Sequence, residues 1–219
     1  MTTFAMLKTD NGLIELMENN AKFFRDAAWE QLKGRWEHAV LFTLVYILII
    51  GAVEGIGLKS NFAGVLSFLV IYPLYYGYGV AFLGYKRTGV NVEIKEMFDG
   101  FKDFGRVFLT CLLEYVYIVL WTLLLFVPGI IKACAYSQTY YILKDNPELK
   151  NNAVIERSIA MMDGHKVEYF YLQLSFIGWY FLAILTLGVG LLWISPYNSL
   201  ANAHFYEYVK EDYERRIAV

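Results

Sequence analysis

Residues 106–143 read RVFLTCLLEYVYIVLWTLLLFVPGIIKACAYSQTYYIL, and Glu114 and Lys132 are the only charged residues between Arg106 and Lys144. A hydrocarbon core of about 30 Å is crossed by about 20 helical residues, so this stretch is too long for one crossing. Pro128-Gly129 falls where a return is needed, since proline cannot continue a helix and glycine permits a sharp turn. The segment reads as a transmembrane hairpin, with one span over 106–127 and a return over 130–143. The return arm is short. Either it begins inside the bilayer or its helix runs past Lys144, whose apolar stem lets the ammonium reach water.

The same pattern continues on both sides. Apolar blocks at about 39–57, 62–85, 167–187 and 190–208 give four more spans. The expected fold is an all-α membrane protein with six transmembrane helices in three hairpins, each preceded by a cytoplasmic amphipathic helix, in a single membrane domain over 1–219. The whole chain is 58% hydrophobic and 18% charged, below the roughly 25% charge of ordinary soluble proteins.

Charge orients this map. The segment before the first span, residues 86–106 and 144–166, and the tail after the sixth span hold 17 of the 19 Lys and Arg. Lys59 and Lys132 alone fall on the other side. Basic residues favour the cytoplasmic face, so both termini are expected there. Residues before Trp36 lack the apolar core and cleavage site of a signal peptide, so the first span is expected to be its own insertion signal. A net charge of -2 offers no footprint for nucleic acid. Cys111 and Cys134 fall in opposite leaflets, too far apart for a disulfide, and read as free buried thiols.

The cytoplasmic segments are patterned as well. Residues 12–35 form an amphipathic helix in which Leu16, Phe23, Phe24, Ala27, Ala28 and Leu32 recur at helical spacing among charges. Residues 93–104 and 152–163 are similar. They are expected at the inner headgroup level, covering the cytoplasmic ends of the bundle. Each unit is then an amphipathic helix, a basic junction, a span, a tight outer turn and a return span. An offset of 61 aligns Pro128-Gly129 and Tyr136 with Val189-Gly190 and Tyr197, and both tyrosines are expected to point into the bundle.

Four stretches together resemble a family of bacterial integral membrane proteins of unknown function, DUF975. They are LKGRW at 32–36, FDGFKDFGR at 98–106, LWTLLLFVPGIIKACAYSQTYYILKDNPEL at 120–149, and GHK at 164–166 with LSFIGWYFLAILTLGVGLLWISPYNSLANAHFYEYV at 174–209. The chain is also distantly similar to the membrane domain that accompanies some glycerophosphodiester phosphodiesterases. The resemblance implies this topology in a bacterial cytoplasmic membrane, and carries no catalytic residues. Glu114 departs from the uncharged residue expected there.

Glu114 is the sharpest single residue. It lies eight residues into its span, about 12 Å deep by helical rise, where a charge costs at least about 2.5 kcal/mol. Counted back from the turn it falls opposite Lys144, so a neutralised pair is the structural reading and a proton or substrate site the functional one. Ser195, Asn198, Ser199 and Asn202 make a polar stripe on one helix face. Such residues usually join helices by hydrogen bonds, and the alternative is a pore lining. Most tryptophans fall near helix ends, as in an aromatic belt. The three histidines form no metal motif, no phosphate loop follows a strand, and no serine sits in a nucleophile elbow, so no metal or cofactor is expected.

Three functions compete. The first is a noncatalytic scaffold, partner subunit or envelope component, with the lipid bilayer and a membrane protein as partners. The second is a small transporter or channel, suggested by Glu114 and the polar stripe. The third is a lipid-acting or enzyme-regulating membrane domain, suggested by the phosphodiesterase-associated likeness.

Overall fold

The computed structural model describes residues 10–57 and 63–218, and the regular elements among them are all helical. Lys59 and Phe62 lie outside the described residues. α1 is Asp10–Leu32, α2 Trp36–Gly57 and α3 Ala63–Thr88. A 3-10 helix, Ile94–Phe98, leads through the single turn α4 (Asp99–Lys102) into α5, Phe104–Leu124. Then follow α6 (Phe126–Tyr136), α7 (Thr139–Asp145), α8 (Asn152–Met161), α9 (Lys166–Leu185) and α10 (Leu191–Ile217).

Four stretches, Trp36–Gly55, Phe68–Thr88, Phe104–Leu124 and Lys166–Leu185, are long and apolar enough to cross a membrane. Three of them bury less than a quarter of their most apolar window inside the protein. Leu48, Leu120, Ile177 and Phe181 are each more than half exposed. In water such surface costs about 25 cal/mol per Å², whereas lipid tails are as apolar as leucine. These helices suit a multi-pass membrane protein.

The last helix differs in kind. α10 runs unbroken for 27 residues, with Pro196 inside it. It is the central element, with α1, α2, α3, α8 and α9 packed around it. Leu200, Ala201, Ala203, Phe205 and Val209 are fully shielded. Because its surroundings are protein rather than lipid, its sequence carries asparagine and serine where outward-facing α9 is apolar.

The expected fourth span over 130–143 is two helices. α6 ends at Tyr136 and α7 begins at Thr139. Hydroxyls take over the carbonyls that a continuous helix would use: Ser137 Oγ donates to Cys134 O at 2.8 Å, Ser158 Oγ to Ala135 O at 2.8 Å, and Thr139 Oγ1 to Tyr136 O at 2.6 Å. Ser158 also accepts from Gln138 N at 3.3 Å, so α8 helps hold the break.

Two hairpins share one turn device. A β-carbon on Gly129 would lie 2.8 Å from Thr122 Cα, and one on Gly190 would lie 2.9 Å from Ala183 Cα. Each glycine faces the residue seven before it, and the offset of 61 carries one pair onto the other. Tyr136 and Tyr197 are both buried, as expected. Beyond them the likeness ends, because α10 continues where α6 breaks.

The hairpins are not in register. Phe108 and Tyr115 of α5 meet Phe68, in the second turn of α3, with ring centroids 5.6 and 6.0 Å apart. At the other end of α5, Val127 and Ile130 share an apolar cleft of about 460 Å³ with Lys166, Val167 and Phe170 at the start of α9. Upright serial hairpins would put Val127 and Lys166 at opposite ends of their spans, about 30 Å apart. The tip of the middle hairpin instead lies beside the start of α9. Its return arm, α6, has 11 residues and reaches only about 16 Å.

The segments expected beneath the bundle are packed into it. α1 buries Phe24, Ala28 and Leu32 and climbs along α9, with Asn20 donating to Glu168 at 3.0 Å and Arg25 to Ser175 O at 3.2 Å. α4 lies against the middle of α3, where a β-carbon on Gly100 would come 2.8 Å from Pro73 Cα. α8 buries Val154 and Ile155, and its Asn152 accepts from Tyr117 OH on α5 at 2.9 Å.

Candidate functional site

Glu114 sits on the inner face of α5, 6% exposed. Around it stand Cys111 on α5, Tyr72 and Tyr75 on α3, Tyr136 on α6, and Thr139 and Tyr140 on α7. The expected partner is elsewhere: Lys144 Nζ lies 3.2 Å from Asp99 Oδ2 on α4 and its side chain is 45% exposed. The cause is the helix break. A continuous helix from the turn would bring Lys144 opposite Glu114, but the chain restarts at Thr139 and carries Lys144 to α4. Glu114 Oε2 and Gln138 Oε1 have no hydrogen-bond partner among the described residues.

The polar stripe on α10 is knitted to α9. Gln173 Nε2 donates to Asn202 Oδ1 at 2.6 Å, Asn198 Nδ2 to Gln173 Oε1 at 3.3 Å, and Asn202 Nδ2 to Asn198 Oδ1 at 2.5 Å. Each amide answers another, so this part of the stripe closes on itself rather than lining an open path. Ser195 and Ser199 are half-buried on the same helix.

Two ionic centres were not visible as sites in the sequence. Asp145 accepts from both terminal nitrogens of Arg87, from Tyr206 OH at 2.8 Å and from Lys210 at 2.6 Å. Burial alone would raise this carboxyl, but these donors win and hold it at about 2. His165 lies between Glu168 at 2.8 Å and Asp212 at 3.0 Å. The Glu168 carboxylate raises the imidazole, burial opposes the rise, and Asp212 adds to it. Arg106 donates to Leu143 O, Asn146 O and Leu149 O, capping the end of α7. In sequence these residues read only as the charged ends of spans, because most of their partners are distant in the chain, as Asp145 is 58 positions from Arg87 and Asp212 is 47 from His165.

Trp29, Trp36, Trp179 and Trp193 line one apolar cleft of about 220 Å³ with Tyr197. Glu114 lines neither this cleft nor the one beside Lys166. Among the described residues no three His, Cys, Asp or Glu side chains are placed to hold a metal ion.

A family model described as "Protein of unknown function (DUF975)" matches residues 17–135 and again 123–213. The chain belongs to the DUF975 family. No curated protein and no solved structure matches it. Both ionic centres and Glu114 of this DUF975 protein lie within the matched residues. The family places the chain among proteins of unknown function, so a functional reading rests on the geometry above.

Proposed function

We propose that this DUF975 protein is a noncatalytic scaffold of the bacterial cytoplasmic membrane. In this reading both termini and the segments 86–106 and 144–166 face the cytoplasm, and the exposed apolar surface meets lipid and a membrane protein partner. The observation that carries it is the mutual satisfaction of the Gln173, Asn198 and Asn202 amides, which spends the most polar stretch of α10 on joining helices. The 17-to-2 partition of basic residues supports the orientation. The tip Leu123–Val127, all exposed and apolar, supports insertion of the middle hairpin. A small transporter is the second reading, favoured by the carboxyl of Glu114 deep in the bundle.

Flux separates the two. Proteoliposomes carrying pH-sensitive and cation-sensitive dyes should leak no faster than protein-free vesicles. A flux that the wild type supports and Glu114→Gln abolishes would replace the scaffold with the transporter.

A further inference from the structure

We propose that the cleft between α6 and the first turn of α9 is a binding site for one anionic phospholipid, with its headgroup on Lys166 and one acyl chain along the apolar walls. The walls come from Ile130, Ile131 and Cys134 of α6 and from Val167 and Phe170 of α9, and the cleft measures about 460 Å³. Small-molecule sites of about 300–1,000 Å³ are mostly apolar, with a few placed polar groups that fix the ligand's orientation. Here Lys166 is the one charged residue among the described residues of the lining. Ile131, Val167 and Phe170 are each at least 40% exposed, so the cleft is open to its surroundings rather than sealed in the core.

Position selects an amphiphile. Lys166 opens the stretch Lys166–Leu185, which is long and apolar enough to cross a membrane. Its ammonium therefore stands where polar chain gives way to apolar chain, and Val167 and Phe170 follow it into the apolar part. A ligand held here meets a cation first and hydrocarbon beyond, the order of a phospholipid with an anionic head. Charge selects the sign of that head. Among the described residues the carboxylate nearest Lys166 Nζ is Asp163, with Oδ1 at 3.8 Å and a side chain 77% exposed. A pair that exposed is worth little and leaves the ammonium open to a phosphate. Glu168, two residues on, is already held by Asn20 and His165. The cleft of four tryptophans has similar walls but no charged residue on its lining, so nothing there fixes a headgroup.

The site rests on the reading of this chain as a membrane protein and is independent of the choice between scaffold and transporter. The test reconstitutes the protein in vesicles of equal parts phosphatidylglycerol and phosphatidylcholine. Flotation with the vesicles reports the membrane reading, and the lipid retained after extraction in mild detergent reports the site. Mass spectra of the intact protein should show one bound phosphatidylglycerol, favoured over phosphatidylcholine about fivefold, the preference that one lysine confers on an anionic head. Lys166→Gln should erase that preference, and Lys166→Arg should keep it. Ile131→Trp, which fills the cleft, should lose the retained lipid whatever its head. Equal retention of the two lipids by the wild type, a preference that survives Lys166→Gln, or a second copy of the chain in place of the lipid would overturn the proposal. Protein that fails to float would remove the membrane reading and the site together. Should Ile131→Trp fail to fold, the two variants at the partly exposed Lys166 decide alone.

Discussion

Asp145 takes Arg87 in a forked pair, Nη1 to Oδ1 at 2.7 Å and Nη2 to Oδ2 at 2.6 Å. Arg87 also reaches Glu207 at 2.6 Å, so one guanidinium ties α3 to α7 and α10. Lysine cannot copy the fork. Arg87→Lys should therefore lower stability by about 1–3 kcal/mol, the lower part of the range reflecting partial solvent access. The carboxylate's own contribution should be complete above about pH 4 and fade as pH falls toward 2. Melting curves in detergent for Arg87→Lys and Asp145→Asn check both, and an unchanged midpoint in Arg87→Lys would remove the hub.

His165 should make stability fall on the alkaline side. Folding raises this imidazole through Glu168 and Asp212 against the pull of burial. The gain is complete below the unfolded value of about 6.5 and is lost as pH climbs through the higher folded value. Wild type should lose midpoint temperature over that rise, while His165→Gln should show a flatter profile. Equal slopes would mean that the ring is not held as the cation.

Gly129 and Gly190 should tolerate no side chain. Leucine at either position would force apart helices whose Cα atoms lie within 3 Å of the added β-carbon, at a cost of about 1–3 kcal/mol. Gly178, with open space around its β-position inside α9, should accept alanine and gain up to about 1 kcal/mol. Thermal midpoints of Gly129→Leu, Gly190→Leu and Gly178→Ala give the comparison. Equal effects at all three positions would deny the shared turn.

Much of this fold could be read from the chain, and the misses have physical causes. Pro128-Gly129 announced a turn but placed it late, since the chain turns at Leu125 and both residues lie in the first turn of α6; the offset of 61 aligned Gly129 with Gly190, which make equivalent contacts. The depth of Glu114 announced a buried carboxyl. Its partner was misread because helical counting assumed one helix from Ile130 to Leu143, and the hydroxyls of Ser137, Ser158 and Thr139 break that helix. Two of these hydroxyls are local, but Ser158 arrives from α8, which no local pattern reveals. The central place of α10 was hidden for a similar reason. Hydropathy measures suitability for lipid, and α10 is lined by protein.

The asparagine network makes a smaller prediction. Asn202→Leu removes one partner from both Gln173 and Asn198 and should cost about 1 kcal/mol. Ser195→Ala, which removes no side-chain hydrogen bond seen among the described residues, should be neutral. Detergent melts of both variants decide, and a larger loss from Ser195→Ala would point to a contact on the other part of the stripe.

Thiol labelling in intact cells is the most direct measurement of a membrane scaffold whose hairpins enter from the cytoplasm. The native Cys111 and Cys134 are buried, which keeps the background low. Leu187→Cys, at the most exposed hairpin tip, should react with a membrane-impermeant maleimide added outside. Lys95→Cys and Lys150→Cys, both on exposed residues, should react only after the membrane is opened. Labelling of either lysine position from outside, or protection of Leu187→Cys until the cells are lysed, would contradict the topology.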